Sequence, residues 1–129
     1  MAATALIHRG VSINGAGPSE TYELTAEASV EIPDLAIAED ATDTEVSIAF
    51  AYAGLKWIYI KAAAALTLET NSSSAPADTI SIAAAPNVFE WTYGSGITCP
   101  FTQNVTKFYF TRVGAATTVS IYAGYDATP

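Results

Sequence analysis

Between Tyr22 and Ile32 the chain alternates without interruption. Tyr22, Leu24, Ala26, Ala28, Val30 and Ile32 occupy the even positions, while Thr21, Glu23, Thr25, Glu27, Ser29 and Glu31 occupy the odd ones. A period of two is the geometry of a strand, whose successive side chains point to opposite faces; a helix would smear both sets round its axis. The pattern predicts one strand with an apolar row facing a core and an acidic row facing water or a partner. Pro33 should end it, because proline has no amide hydrogen to give to the ladder.

Further strands are expected at about 4–13, 45–52, 55–61, 65–70, 78–84, 87–93, 104–112 and 117–125, each rich in Val, Ile, Thr, Tyr, Phe or Trp. Turn formers separate them: Asn14-Gly15-Ala16-Gly17-Pro18, Ala53-Gly54, the run from Asn71 to Pro76, Ala85-Pro86-Asn87, Gly94-Ser95-Gly96 and Gly114. Short strands at this spacing, with no convincing helix, predict an all-β, antiparallel two-sheet β-sandwich, jelly-roll-like in plan. Lys61 to Leu66, with its four alanines, has helical propensity but is too short to hold a helix alone. A single helical turn is allowed there, and another around Asp34 to Asp43. Residues 1–18 start with small side chains and end in a Gly-Pro loop, so they read as an N-terminal arm or edge strand. Residues 19–129 then form the single sandwich domain, and no internal repeat is present.

Only 14% of the 129 residues are charged, well below the usual quarter, so a lone monomer would expose an unusually uncharged surface. Contact with other copies or another protein is the expected remedy. The net charge is −8, and the five cations, Arg9, Lys56, Lys61, Lys107 and Arg112, are scattered. Nucleic acid and anionic membrane are therefore not expected partners, since both need clustered Lys and Arg. No run of 18 apolar residues occurs, and residues 1–10 lack the charged start and long apolar stretch of a secretory signal, so synthesis in the cytoplasm is expected. Nine of the thirteen acids fall between Glu20 and Glu45, where no Lys or Arg occurs. That stretch is either a solvated strand face with its loops or a docking surface for a basic partner, with Glu23, Glu27 and Glu31 as the docking residues.

Motifs that carry chemistry are almost absent. The one histidine, His8, has no companion ligand nearby, and the one cysteine, Cys99, rules out an internal disulfide and reads as a small buried hydrophobe. Glu39, Asp40, Asp43 and Glu45 lack the twelve-residue calcium loop pattern. Glu90, between Phe89 and Trp91, is the best candidate acid for a glycosidase pair, yet on a strand it points away from both neighbours. No catalytic residue, metal ligand or cofactor site is assigned, and no enzyme activity is expected. The aromatic rows Trp57/Tyr59, Phe89/Trp91/Tyr93 and Phe108/Phe110 read most economically as core rows and cross-strand pairs. Exposed in a groove instead, such side chains would stack on sugars or bases. The sequons at Asn71 and Asn104 matter only in a eukaryotic secretory route.

The carboxyl-terminal two thirds carry a likeness. Gly54-Leu55-Lys56 with the strand to Ile60, Leu66-Thr67-Leu68-Glu69-Thr70-Asn71, and Ala75-Pro76-Ala77-Asp78-Thr79-Ile80 are followed by Ala85-Pro86 leading to Glu90-Trp91. Cys99-Pro100-Phe101-Thr102 then precedes Asn104-Val105-Thr106-Lys107-Phe108-Tyr109, and a last strand closes at Tyr125-Asp126. Over about residues 54–126 this succession resembles the head cement or decoration proteins of tailed bacteriophages, small proteins encoded near the major capsid gene. The resemblance implies a virion structural protein on the head surface, a compact β-sandwich that forms homo-oligomers, trimers above all, and binds the major capsid protein without a cofactor. The competing expectation is a carbohydrate- or receptor-binding β-sandwich module of a phage fibre or tail, using Trp57, Trp91, Tyr93 or Tyr125.

Overall fold

Alternation sorts side chains into an inner and an outer row, and a chain of short alternating strands is stable only when the inner rows of two sheets close on each other. The computed structural model, which describes residues 2–10, 13–83 and 85–126, solves the problem in this way. Its strands are β1 (Ala3–Gly10), β2 (Ser19–Ala26), β3 (Ala28–Ile37), β4 (Thr44–Phe50), β5 (Leu55–Ala62), β6 (Leu66–Thr70), β7 (Thr79–Ile82), β8 (Val88–Thr92), β9 (Val105–Thr111) and β10 (Thr117–Tyr125). One sheet has the order β3-β10-β5-β8 and the other β4-β9-β6-β7, every neighbouring pair antiparallel. Counted from β3, these orders are first, eighth, third, sixth and second, seventh, fourth, fifth, the strand plan of a jelly roll. Of the expected spans, Val11 and Ser12 of the first strand, Ala84 of the sixth and residues 127–129 of the domain lie outside the described residues.

The remaining pair, β1 and β2, forms a two-stranded sheet of its own, in register from Ala3 opposite Ala26 to Gly10 opposite Ser19. The segment read as an arm or edge strand thus supplies one strand of a hairpin, and the boundary between residues 18 and 19 falls where β2 begins. The expected single strand from Tyr22 to Ile32 is two strands in two different sheets, joined at a bend at Glu27. Pro33 does not end it either. β3 lies at a sheet edge, where a missing donor costs nothing, and the strand runs on to Ile37 past a bulge at which the Asp34 amide donates to Ser120 Oγ at 3.0 Å. Neither segment holds a helical turn: Lys61 and Ala62 finish β5 and a bend leads into β6, while in the 34–43 segment β3 runs to Ile37 and a non-helical turn follows, closed by the Ala41 amide donating to the Ala38 carbonyl (3.2 Å). A single 3-10 turn sits at Tyr52–Gly54.

The core is aromatic at its centre. Phe108 and Phe110 on β9, Phe50 on β4, and Phe101 from the loop between β8 and β9 are buried between the sheets. Ring centroids lie 5.4 Å apart for Phe50–Phe101, and 6.1 Å apart for Phe101–Phe108 and Phe89–Phe101. Thr102, next to Phe101, donates from its amide (3.0 Å) and its hydroxyl (2.9 Å) to the Asp78 carboxylate, which pins this loop to the one before β7. Asn71 acts similarly: its amide nitrogen donates to the Asn104 carbonyl (2.8 Å) and its oxygen accepts from the Thr106 amide (2.8 Å). Among the described residues, all six non-glycine residues with positive φ, namely Asn14, Asp34, Asp40, Asp43, Asn71 and Asn87, are Asn or Asp, the side chains that tolerate the left-handed region best.

On the outer face of the β3-β10-β5-β8 sheet, Gly124 of β10 stands opposite Trp57 of β5. A Cβ at position 124 would fall within the Trp57 indole, so the ring lies on the glycine where any side chain would displace it. Gly124→Ala is expected to cost about 1–3 kcal/mol through overpacking. Measured by denaturant unfolding, that cost should shrink sharply in a Trp57→Ala background, where the collision is gone; an equal loss in both backgrounds would refute the account.

Candidate functional site

The hairpin and the sheet beneath it make a concave surface. β2 packs against β5 and β10, so Tyr22 of β2 faces the outer side of the β3-β10-β5-β8 sheet, not the core between the sheets. Two side chains tether it. The Arg9 guanidinium donates to Thr92 Oγ1 and lies over the Tyr22 ring, 5.2 Å from its centroid, while Tyr22 OH is 3.3 Å from Thr92 Oγ1. A groove of about 400 Å³ opens between hairpin and sheet, walled by Ala5, Leu6 and Ile7 and floored by Trp57, Tyr59 and Tyr122. His8 and Glu90 flank this groove and the hollows on either side of it.

Trp57 and Tyr59 were expected as a core row and are not one. In β5 both phases are apolar, and the inward set is Ile58, Ile60 and Ala62, all buried, which leaves the two aromatics on the outer face. The other aromatic candidates for sugar stacking are engaged. Trp91 packs against the core and its indole nitrogen donates to the Ile97 carbonyl (2.8 Å); Tyr125 rests on Phe50 with centroids 6.0 Å apart. Tyr93 is exposed, with the Lys56 ammonium 4.1 Å above its ring. Sequence reasoning missed Tyr122, which stands beside Tyr59; only the pairing register of β10 with β5 could have found it.

The acidic stretch resolves into two groups. Four of its members shape the fold: Asp34 sits at the bulge of β3, and Asp40 accepts from the Gly114 amide (2.7 Å). Asp43 pairs with Thr111, and Glu45 accepts from both Lys107 Nζ and Tyr109 OH at 3.2 Å. The hydrogen bond to Glu45, and then its charge, push the Lys107 ammonium pKa up from its ordinary value. The others, Glu20, Glu23, Glu27, Glu31 and Glu39, are exposed. Glu23, Glu27 and Glu31 do not share one sheet: Glu23 is on the hairpin opposite Leu6, Glu27 is at the bend with contacts of its own in the chain, and Glu31 is on β3 opposite Tyr122.

No group of three or more His, Cys, Asp and Glu residues that could hold a metal is present among the described residues. His8 Nδ1 is hydrogen-bonded to Thr21 Oγ1 across the hairpin (3.2 Å). Cys99 is half-buried, and desolvation raises its thiol pKa, reinforced by the Asp78 charge against a lowering hydrogen bond from Phe101. Such a thiol is a poor nucleophile. Glu90 points outward, with Phe89 and Trp91 turned to the core, as a strand requires. Chemically the surface can bind and stack.

Because Arg9 and Tyr22 tie the hairpin to Thr92 of the sheet, beside an apolar row of Ile7, Leu24 and Ala26, Arg9→Ala should loosen the hairpin without opening the sandwich. A lost cation–π contact and hydrogen bond amount to about 1–2.5 kcal/mol, or roughly 5- to 50-fold faster amide exchange in β1 and β2. Protection in β9 and β10 should not change; equal loss throughout would show that the hairpin is not a separable unit. No family model, curated protein or solved structure matches this chain.

Proposed function

We propose that this chain is a structural protein of a bacteriophage virion, a cement or decoration protein that binds the outer surface of the head as an oligomer, a trimer in the simplest case, and stabilises the shell. The observation that carries the reading is the hairpin. Among the described residues β1 and β2 pair only with each other, so each leaves one edge of backbone donors and acceptors without a strand partner there. The β1 sequence from Ala3 to Ile7 carries no charge to blunt its edge, Leu6 on its outer side is 55% exposed, and Ile13 near the tip is 70% exposed. An edge of this kind is suited to pairing with another chain.

The two closed sheets supply a rigid block beneath that edge, and the low charge of the surface lowers the desolvation cost of broad contacts. A protein bound only to the assembled shell adds its binding free energy to the cost of opening it. Association as a trimer multiplies modest contacts into avidity. Jelly rolls also serve in viral capsids and in lectins, an analogy of fold that favours neither reading by itself. The sugar-stacking alternative loses Trp91 and Tyr125, which are engaged internally, and keeps Trp57, which floors the open groove, and exposed Tyr93.

Mass spectrometry of purified particles tests the proposal. The chain should be present at a copy number near a simple fraction of the major capsid protein; absence, or one to a few copies per particle, would overturn a head role and point to a tail or fibre. With particles in hand, Glu23, Glu27 and Glu31 can be changed together to Gln. If they meet a basic capsid patch, at about 0.2–1 kcal/mol per exposed pair, attachment at low salt should weaken about 3- to 100-fold and the difference should fade at high salt. An unchanged salt dependence would remove these three from the docking face.

A further inference from the structure

The register of the outer sheet aligns four side chains that the sequence keeps far apart. Glu31 of β3 stands opposite Tyr122 of β10, Tyr122 opposite Tyr59 of β5, and Tyr59 opposite Glu90 of β8. Their inward neighbours Ile58, Ile60, Ile121 and Ala123 are buried, so the four project together from the outer face. Tyr59 is 38% exposed and Tyr122 is 36% exposed, both beside the groove that Leu6 and Ile7 wall off. The surface reads acid, aromatic, aromatic, acid across four strands, a span of about 14 Å at the usual strand spacing.

Every cation of the chain is engaged elsewhere. Arg9 holds Tyr22 and Thr92, Lys56 is 3.5 Å from the Asp126 carboxylate, Lys107 meets Glu45, and Arg112 donates to the carbonyls of Ala65 and Ala115. Lys61, two positions from Tyr59 on the same face, donates to the Pro86 carbonyl. No ion pair to Glu31 or Glu90 exists among the described residues, and His8, the other titratable group at the groove, is bonded to Thr21. In a chain of net charge −8, the described Lys and Arg residues leave this row without a positive complement, and a cationic partner would supply one.

We propose that the Glu31–Tyr122–Tyr59–Glu90 row is a docking site for an extended cationic polypeptide segment. Arg and Lys bind both aromatic faces and carboxylates, and a guanidinium also makes paired hydrogen bonds to a carboxylate. In an extended chain, residues i and i+4 point to the same side about 13 Å apart, close to the span of the row. Basic side chains at those two positions reach Glu31 and Glu90, while the residue between them rests on the tyrosine rings. The binding is a property of the isolated chain and goes beyond the proposed role on a phage head, so either can fail without the other.

The test is an NMR titration of the full chain, labelled with ¹⁵N, with the capped peptide Arg-Gly-Ala-Gly-Arg. Controls are the same peptide with Glu for Arg, and maltohexaose as a neutral sugar. Saturable shifts centred on β3, β5, β8 and β10 are expected with the Arg peptide alone. Affinity should fall at least fivefold in Glu31→Gln/Glu90→Gln and in Tyr59→Ala/Tyr122→Ala, while Tyr59→Phe/Tyr122→Phe, which keeps the rings, retains it. Thermal melts check that each variant is folded, and the isosteric Glu→Gln pair keeps the test decisive if the Ala pair is not. Shifts centred on Glu20 and Glu23, equal affinity in the Gln variant, or saturation by maltohexaose with the Arg peptide silent would overturn the proposal; the last would identify a sugar platform instead.

Discussion

Two sheets closing over one shared aromatic cluster is the condition on which the rest of this molecule depends. Phe50 and Phe108 belong to one sheet, Phe89 and Tyr125 to the other, and Phe101 enters from a loop to touch members of both. Burying each phenylalanine is worth about 1.5–3 kcal/mol, and slipping any strand by one residue would turn its inner row out to water. Register is therefore fixed from the inside. What stands on the outside, including Tyr59 beside Tyr122 and Trp57 lying on Gly124, is a consequence of the core's demand for Ile58, Ile60, Ile121 and Ala123.

Strand positions were legible in the sequence because alternation and turn formers are local signals. The failure between Tyr22 and Ile32 has a physical cause. Ala26 and Ala28 are both covered on either side of exposed Glu27, so the alternation keeps its phase across the bend although the row of Ala26 faces the outer side of the β3-β10-β5-β8 sheet and the row of Ala28 faces the core. A period of two reports that each side chain flips, and it is blind to the identity of the sheet. Pro33 misled for a related reason: whether proline stops a strand depends on which edge lacks a partner, which only the sheet order decides.

The site was less legible than the fold. The acids from Glu20 to Glu45 look like one electrostatic field on paper, yet the carboxylates of Asp40, Asp43 and Glu45 are tied to Gly114, Thr111 and Lys107, and Asp34 serves the β3 bulge through its positive φ and its main-chain amide, which donates to Ser120. Short acidic side chains serve turns because they accept nearby amides and tolerate positive φ. Charge density along a sequence therefore overstates charge density on a face. The row from Glu31 to Glu90 shows the converse, since residues 59 positions apart in the chain become a single surface only through three strand pairings.

The hairpin completes neither sheet, and that sets it apart from the other strands. The eight strands from β3 to β10 already form the whole jelly roll, with the buried phenylalanines distributed among them and the loop that carries Phe101. What the hairpin adds is a wall for the outer groove and two unpaired edges, held down through Arg9, Tyr22 and Thr92. An element that contributes nothing to the cluster between the sheets can open locally at less cost than a core strand. Sandwich and hairpin thus meet along the chain at the Glu27 bend, so the residues that build the core and the residues that present a free strand edge are drawn from separate stretches of sequence.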